Sequence, residues 1–242
     1  IALAWLVARL VFGEGHPAIS FLLLLAIADD GIGLAIIAIF YPDPVAPVQP
    51  IFLLLILLGM LLAYLFRRKQ VSSIWPTIAI GGTLSWFGLY FAHLHPALAL
   101  VPIVPFLSMS SLNKFQDFFK QPVDIGLLGF GLANAGVPFS SMGSATWAVL
   151  LSLVIGKTVG VFLFSMAASW LGFPLPTGMT NHALVVAAMT AAIGMTVALF
   201  VAGIAFLDVQ TQEAAKMGAL LSGGMALPTL IMAKVLKVKR LL

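Results

Sequence analysis

The sequence predicts an all-α integral membrane protein, a polytopic helical bundle. Three observations carry this. Of 242 residues, 62% are hydrophobic and only 8% are charged, against about 25% charged in a soluble domain, so there is too little charge to cover a water-facing surface. Apolar runs of about 18 residues or more recur along the chain, the usual length of a membrane span. Two adjacent carboxylates, Asp29 and Asp30, lie in the middle of one such run. An ionisable group there costs about 2.5–3.5 kcal/mol and marks a functional position. The net charge of +4 does not point to nucleic acid, because the basic residues sit at span ends. The absence of cysteine excludes disulfides and thiolate metal sites.

About eight full spans plus one partial N-terminal half-helix follow in order. The first segment, Ile1 to Phe12, is apolar but about half a span long. It reads as the tail of a truncated helix or one half of a broken one. The chain begins there with no charged n-region or cleavage site, so the sequence is expected to be a fragment lacking its N-terminal spans. Gly13–Pro17 is a turn. Span two, Pro17–Tyr41, holds the aspartates, and the proline-rich stretch Tyr41–Pro50 is a loop. Span three, Ile51–Phe66, has few polar side chains and stops at Arg67-Arg68-Lys69. Span four, Ile74–Ala92, carries Gly81, Gly82 and Gly88, which allow close helix approach. Leu94–Met109, with Pro96, Pro102 and Pro105, predicts a kinked or irregular span, and Ser110–Gln121 a polar connection. Span six is Pro122–Val137. Span seven, Ser144–Leu171, has Lys157 at its centre. Span eight, Ala183–Phe206, contains Ala191-Ala192-Ile193-Gly194-Met195-Thr196, a string suited to a helix interruption. Span nine, Ala214–Leu236, precedes a basic tail.

If these segments alternate, Arg67, Arg68, Lys69, Lys114, Lys120, Lys234, Lys237, Lys239 and Arg240 share one side, and only Lys216 faces the other. That asymmetry places the C-terminus in the cytoplasm. Arg9 and Lys157 fall within apolar segments. Arg9 is expected to snorkel to the cytoplasmic end of its segment. Asp124 is expected to favour a helix N-terminus. For His93 and His95 near an interface, packing is favoured over proton relay, and for Asn134 a bond to a neighbouring helix is favoured over ion ligation.

Asp29, Asp30 and Lys157 lie at similar depth. Neighbouring residues on a helix point about 100° apart, so one aspartate is expected to face Lys157 and the other a water-accessible cavity. The spacing leaves open which does which. A carboxylate with a like charge beside it in a poorly solvated site can hold either a proton or a hard cation near neutral pH. The two would titrate as a coupled pair. Lys157 is either a structural counter-charge or a second proton donor. A purely structural polar contact between helices is the weaker reading of the aspartates, since one residue would suffice.

At these residues the chain resembles the bacterial NhaA sodium/proton antiporter family. The matching pieces are Phe21 through Asp30, Ala133-Asn134-Ala135-Gly136-Val137, Ile155-Gly156-Lys157-Thr158-Val159-Gly160, and Ile193-Gly194-Met195-Thr196 followed by Phe200-Val201-Ala202. The resemblance implies that Asp30 is the principal carboxylate for Na+ (or Li+) and H+. It implies that Asp29 pairs with Lys157 and joins the cycle, and that Gly194–Thr196 is the unwound part of one of two crossing, discontinuous helices in an inverted-repeat fold. It also implies a single transmembrane domain over residues 1–242, forming the C-terminal two-thirds of the family domain. Also implied are the bacterial inner membrane, lipid as surroundings, transported ions rather than cofactors, no enzymatic activity, and a homodimer in the full-length protein. A cation-coupled solute symporter and a non-transporting membrane subunit with a structural charge triad are the competing readings.

Overall fold

The structure is a computed structural model and describes residues 2–40, 47–69, 71, 73–107, 109–238 and 240. Among them every regular element is helical. Two compact units form, Ile1–Gly33 with Gly131–Leu242, and Leu34–Phe130.

In the first unit, α1 (Ala2–Phe12) and α2 (Pro17–Phe40) are joined by a short turn. The 24 residues of α2 reach about 36 Å at 1.5 Å per residue, more than the ~30 Å hydrocarbon core. The chain returns to this unit at the end of α5 (Met109–Ala135). Span seven runs as α6 (Ser144–Leu151), a π-helical segment Ser152–Lys157, and α7 (Thr158–Trp170). Span eight is α8 (Asn181–Ala191) and α9 (Met195–Ala205), bent by 42° at the break between them. The last span is α10 (Val209–Leu221), a 3-10 turn, and α11 (Ala226–Val235). Three helical stretches among the described residues are long and apolar enough to cross a membrane, or four if the bent pair is one span.

The core of this unit joins Val7, Ala8, Val11 and Phe12 of α1 to Ala18 and Ile19 of α2, to Ala183, Leu184, Val186 and Ala187 of α8, and to Ala233 of α11. Two of its buried hydroxyls bond to backbone carbonyls three or four residues earlier, whereas the buried Thr158 Oγ1 finds no partner among the described residues. Thr190 donates to the Val186 carbonyl at 2.8 Å and Ser222 to the Ala219 carbonyl at 2.6 Å, as an apolar surrounding requires. Thr146 instead crosses from α6 to the Ala214 carbonyl of α10 at 2.8 Å. The outward faces stay apolar, with Phe164, Trp170 and Leu171 largely exposed.

In the second unit, α3 (Leu53–Arg68) packs on a π-helical segment Thr77–Gly82 and α4 (Thr83–Phe91). A Cβ on Gly59 would lie 2.8 Å from the Gly81 carbonyl oxygen, and one on Gly88 would lie 2.8 Å from Ile56 Cγ1. Only glycine permits that approach.

Several sequence expectations are corrected. Ser110–Gln121 is not a connection: α5 is helical throughout Met109–Ala135 with Pro122 inside it. The polar run still carries aromatic residues at helical spacing, and Phe118 and Phe119 pack on Trp75 with ring centroids 5.0 and 6.4 Å away. Asp124 is therefore mid-helix and caps nothing. The stretch 94–107, by contrast, is irregular as its prolines predict. Its prolines reduce it to turns and the 3-10 pieces Pro96–Leu98 and Val104–Phe106. The last span starts earlier than Ala214, because Asp208 caps α10 by accepting from the Thr211 N–H at 2.8 Å. His93 takes a left-handed φ of 58°, and its Nδ1 lies 2.9 Å from the Pro47 carbonyl. Residues 41–46 of the proline-rich loop lie outside the described residues.

Candidate ion-binding site

Asp29 and Asp30 stand on the middle turns of α2, with leucines before them and Gly31 and Gly33 after. Gly33 faces α9, and a Cβ there would sit 3.4 Å from Val197 Cγ1. Lys157 closes the π-helical segment of span seven. A π turn carries one residue more per turn than an α turn of similar length, and such bulges favour functional positions.

The pair that forms is Asp29 with Lys157. The ammonium Nζ donates to Asp29 Oδ2 at 2.5 Å, with the two side chains 20% and 43% exposed respectively. Asp30 does not share that contact. It opens, with Asp29 and Lys157, into a cavity of about 60 Å³, room for a few waters or a partly hydrated small cation. The cavity wall comes from Ala4 and Trp5 of α1, Leu22 and Ala26 of α2, Thr190 and Ala191 at the end of α8, and Thr196 and Val197 at the start of α9.

Ile193 and Gly194 form the floor beside Lys157. The helix stops at Ala191 and resumes at Met195, so the interruption is Ala192–Gly194. This corrects the expectation of Gly194–Thr196: Met195 and Thr196 are the first turn of α9. The reason is local. Gly194 has φ −108° and ψ 47°, outside the helical basin, whereas Met195 and Thr196 follow it in helical geometry. Gly194 also crowds the ammonium, as a Cβ there would lie 3.2 Å from Lys157 Nζ.

One carboxylate is thus bonded to a lysine, the second shares the cavity with that lysine without a direct bond to it, and both border a small cavity at a helix break. The oxygens present suit a hard cation rather than a transition metal. No group of three or more His, Cys, Asp or Glu side chains that could hold a metal ion exists among the described residues. Arg9 reaches the turn after α1. It is ion-paired with Glu14 and lies 4.4 Å from the Trp5 ring centroid. Sequence reasoning missed Trp5 and Thr190 as cavity walls. The signal for Trp5 was an aromatic one helical turn before a charged residue in a half-length apolar helix.

Comparison with known proteins supplies the family. The model of the family described as "Na+/H+ antiporter 1" matches residues 1–234. A Na(+)/H(+) antiporter NhaA of Geobacter sulfurreducens is 54% identical, over 100% of this chain and 67% of its own length. One from Desulfitobacterium hafniense is 57% identical over 99% of this chain and 66% of its own. One from Jannaschia sp. is 46% identical over 99% and 65%. The chain spans about two-thirds of the length of the curated relatives it matches. These relatives are membrane transporters and not enzymes, and with the apolar helices they make this an integral membrane protein. The chain belongs to the Na+/H+ antiporter 1 family.

Proposed function

We propose that the protein exchanges Na+ or Li+ for H+ across the bacterial inner membrane by alternating access, with Asp29 and Asp30 as the shared cation and proton site. The observation that supports this most is the division of labour at the cavity: Lys157 is bonded to Asp29 at 2.5 Å, while Asp30 shares that cavity without the bond. With Asp29 balanced by Lys157, the site carries one net negative charge on Asp30, which a proton or a sodium ion can cancel but not both together. Mutually exclusive occupancy is enough for exchange, provided the empty, charged site does not cross the membrane, and the cost of a bare carboxylate in hydrocarbon opposes that crossing.

A sodium ion ligated by both carboxylates draws Asp29 away from Lys157. An ammonium left unpaired in an apolar site is costly, and its proton is then the second one released, which makes the exchange electrogenic. The break Ala192–Gly194 fits one arm of two crossing discontinuous helices in an inverted-repeat fold of about eight spans. The charge asymmetry fits a cytoplasmic C-terminus and a homodimer is the expected assembly of the full-length protein.

The test uses the full-length protein in proteoliposomes, with proton flux driven by a sodium or lithium gradient. Asp30→Asn is expected to reduce that flux to the level of empty vesicles. Flux that persists in Asp30→Asn removes the carboxylate assignment. Sodium-driven uptake of an organic solute without proton exchange would favour a symporter, and a wild-type protein without any flux would favour a structural subunit.

A further inference from the structure

We propose that Trp5 is the gate between the carboxylate cavity and the aqueous side on which the α1–α2 turn lies, and that Arg9 and Glu14 latch it. Trp5 borders two spaces. One is the cavity that holds Asp29, Asp30 and Lys157. The other is an open pocket of about 220 Å³, lined by Trp5, Arg9, Glu14 and Ile19. The indole is the only side chain common to both among their described linings, so it stands where the two spaces meet.

The sequence explains the arrangement. Trp5 and Arg9 are four residues apart on α1 and share one face. A long helical side chain leans back toward the N-terminus, which brings the Arg9 guanidinium within 4.4 Å of the Trp5 ring centroid. Cations favour that aromatic face. The same guanidinium is ion-paired with Glu14 in the turn after α1, which ties the ring to an ion pair at the protein's edge. Glu14 is 72% exposed, and a solvent-exposed pair of this kind is weak and readily broken. A wall that must open in every transport cycle needs such a latch: firm enough to close the cavity, weak enough to release it. While closed, the guanidinium also places a positive charge outside the ring, which discourages a cation from entering beside it.

The proposal rests on reading the carboxylate cavity as the ion site, but its test does not depend on transport. The chain contains no cysteine, so one introduced at Ala26, which lines the cavity, reports access. In the full-length protein on a cysteine-free background, a membrane-impermeant cationic thiol reagent is added from the side of the α1–α2 turn. Labelling of Ala26→Cys is expected to rise severalfold in Trp5→Ala, and to a smaller degree in Arg9→Gln and Glu14→Gln. Ala187→Cys, in the core of α8, is the control for loosening and is expected to stay protected. Unchanged Ala26→Cys labelling in Trp5→Ala and Arg9→Gln overturns the gate. An equal rise at Ala187→Cys also overturns it, because Trp5 would then be supporting the fold. A failed exchange reading shows itself in flux, and a failed gate in labelling.

Discussion

Thr77–Gly82 and Ser152–Lys157 are both six-residue π-helical stretches within apolar helices, and both carry glycine at the fifth position. Their surroundings differ. In the first, Gly81 and Gly82 are buried, and a Cβ on Gly81 would lie 3.2 Å from the Gly59 carbonyl oxygen. In the second, a Cβ on Gly156 would meet nothing within 4 Å, and the stretch ends on Lys157, bonded to Asp29. The first distortion serves backbone packing and the second delivers a charge to a cavity. A π bulge is therefore not itself a sign of a site. The charged residue at its end is what separates the two.

Substitutions can break that contrast. Lys157→Ala should have the largest effect on transport. It leaves Asp29 unpaired at membrane depth, which costs about 1–2 kcal/mol once the 43% exposure of that carboxylate is allowed for. Sodium-driven proton flux should fall with it, and thermal unfolding in detergent together with vesicle flux reads both. Gly59→Ala strikes the packing stretch. Its Cβ would sit 2.8 Å from the Gly81 carbonyl oxygen, and overpacking of this kind costs about 1–3 kcal/mol. A melting temperature equal to wild type would show that α3 and α4 do not approach as closely as described. Gly156→Ala should be neutral or slightly stabilising, by up to about 1 kcal/mol from helix propensity. A marked loss of stability there would mean that both π stretches depend on their glycine.

The smallest effect lies outside either stretch and acts as a baseline. Bonds from the Thr211 hydroxyl, first, and the Thr211 N–H, second, hold the Asp208 carboxyl below its ordinary range. A depressed carboxylate contributes stability that is present above its unfolded pKa and is lost as pH falls through the folded one. Asp208→Ala should therefore lower the melting temperature slightly at neutral pH, and the difference from wild type should shrink in acid below about pH 4. A difference that is constant across pH would show that the cap does not act through the carboxylate.

Much of this protein is fixed by its order of residues. Low charge and repeated apolar runs leave helices as the structure that satisfies the backbone in lipid. The position of a charge within a run sets its depth, so Asp29, Asp30 and Lys157 could be placed at one level before any fold was known. Gly194 and its small neighbours marked a helix break to within two residues. Tertiary structure decided what local spacing does not encode. Which aspartate meets Lys157 depends on the rotation of α2 about its axis, which the spacing along the chain does not encode. The helix across Ser110–Gln121 depends on Trp75, about forty residues away, receiving Phe118 and Phe119. Trp5 lines the cavity because α1 packs beside α8, and Arg9 lies over its ring. Depth along a helix is a property of sequence, whereas azimuth around it is a property of neighbours, and the candidate site needs both.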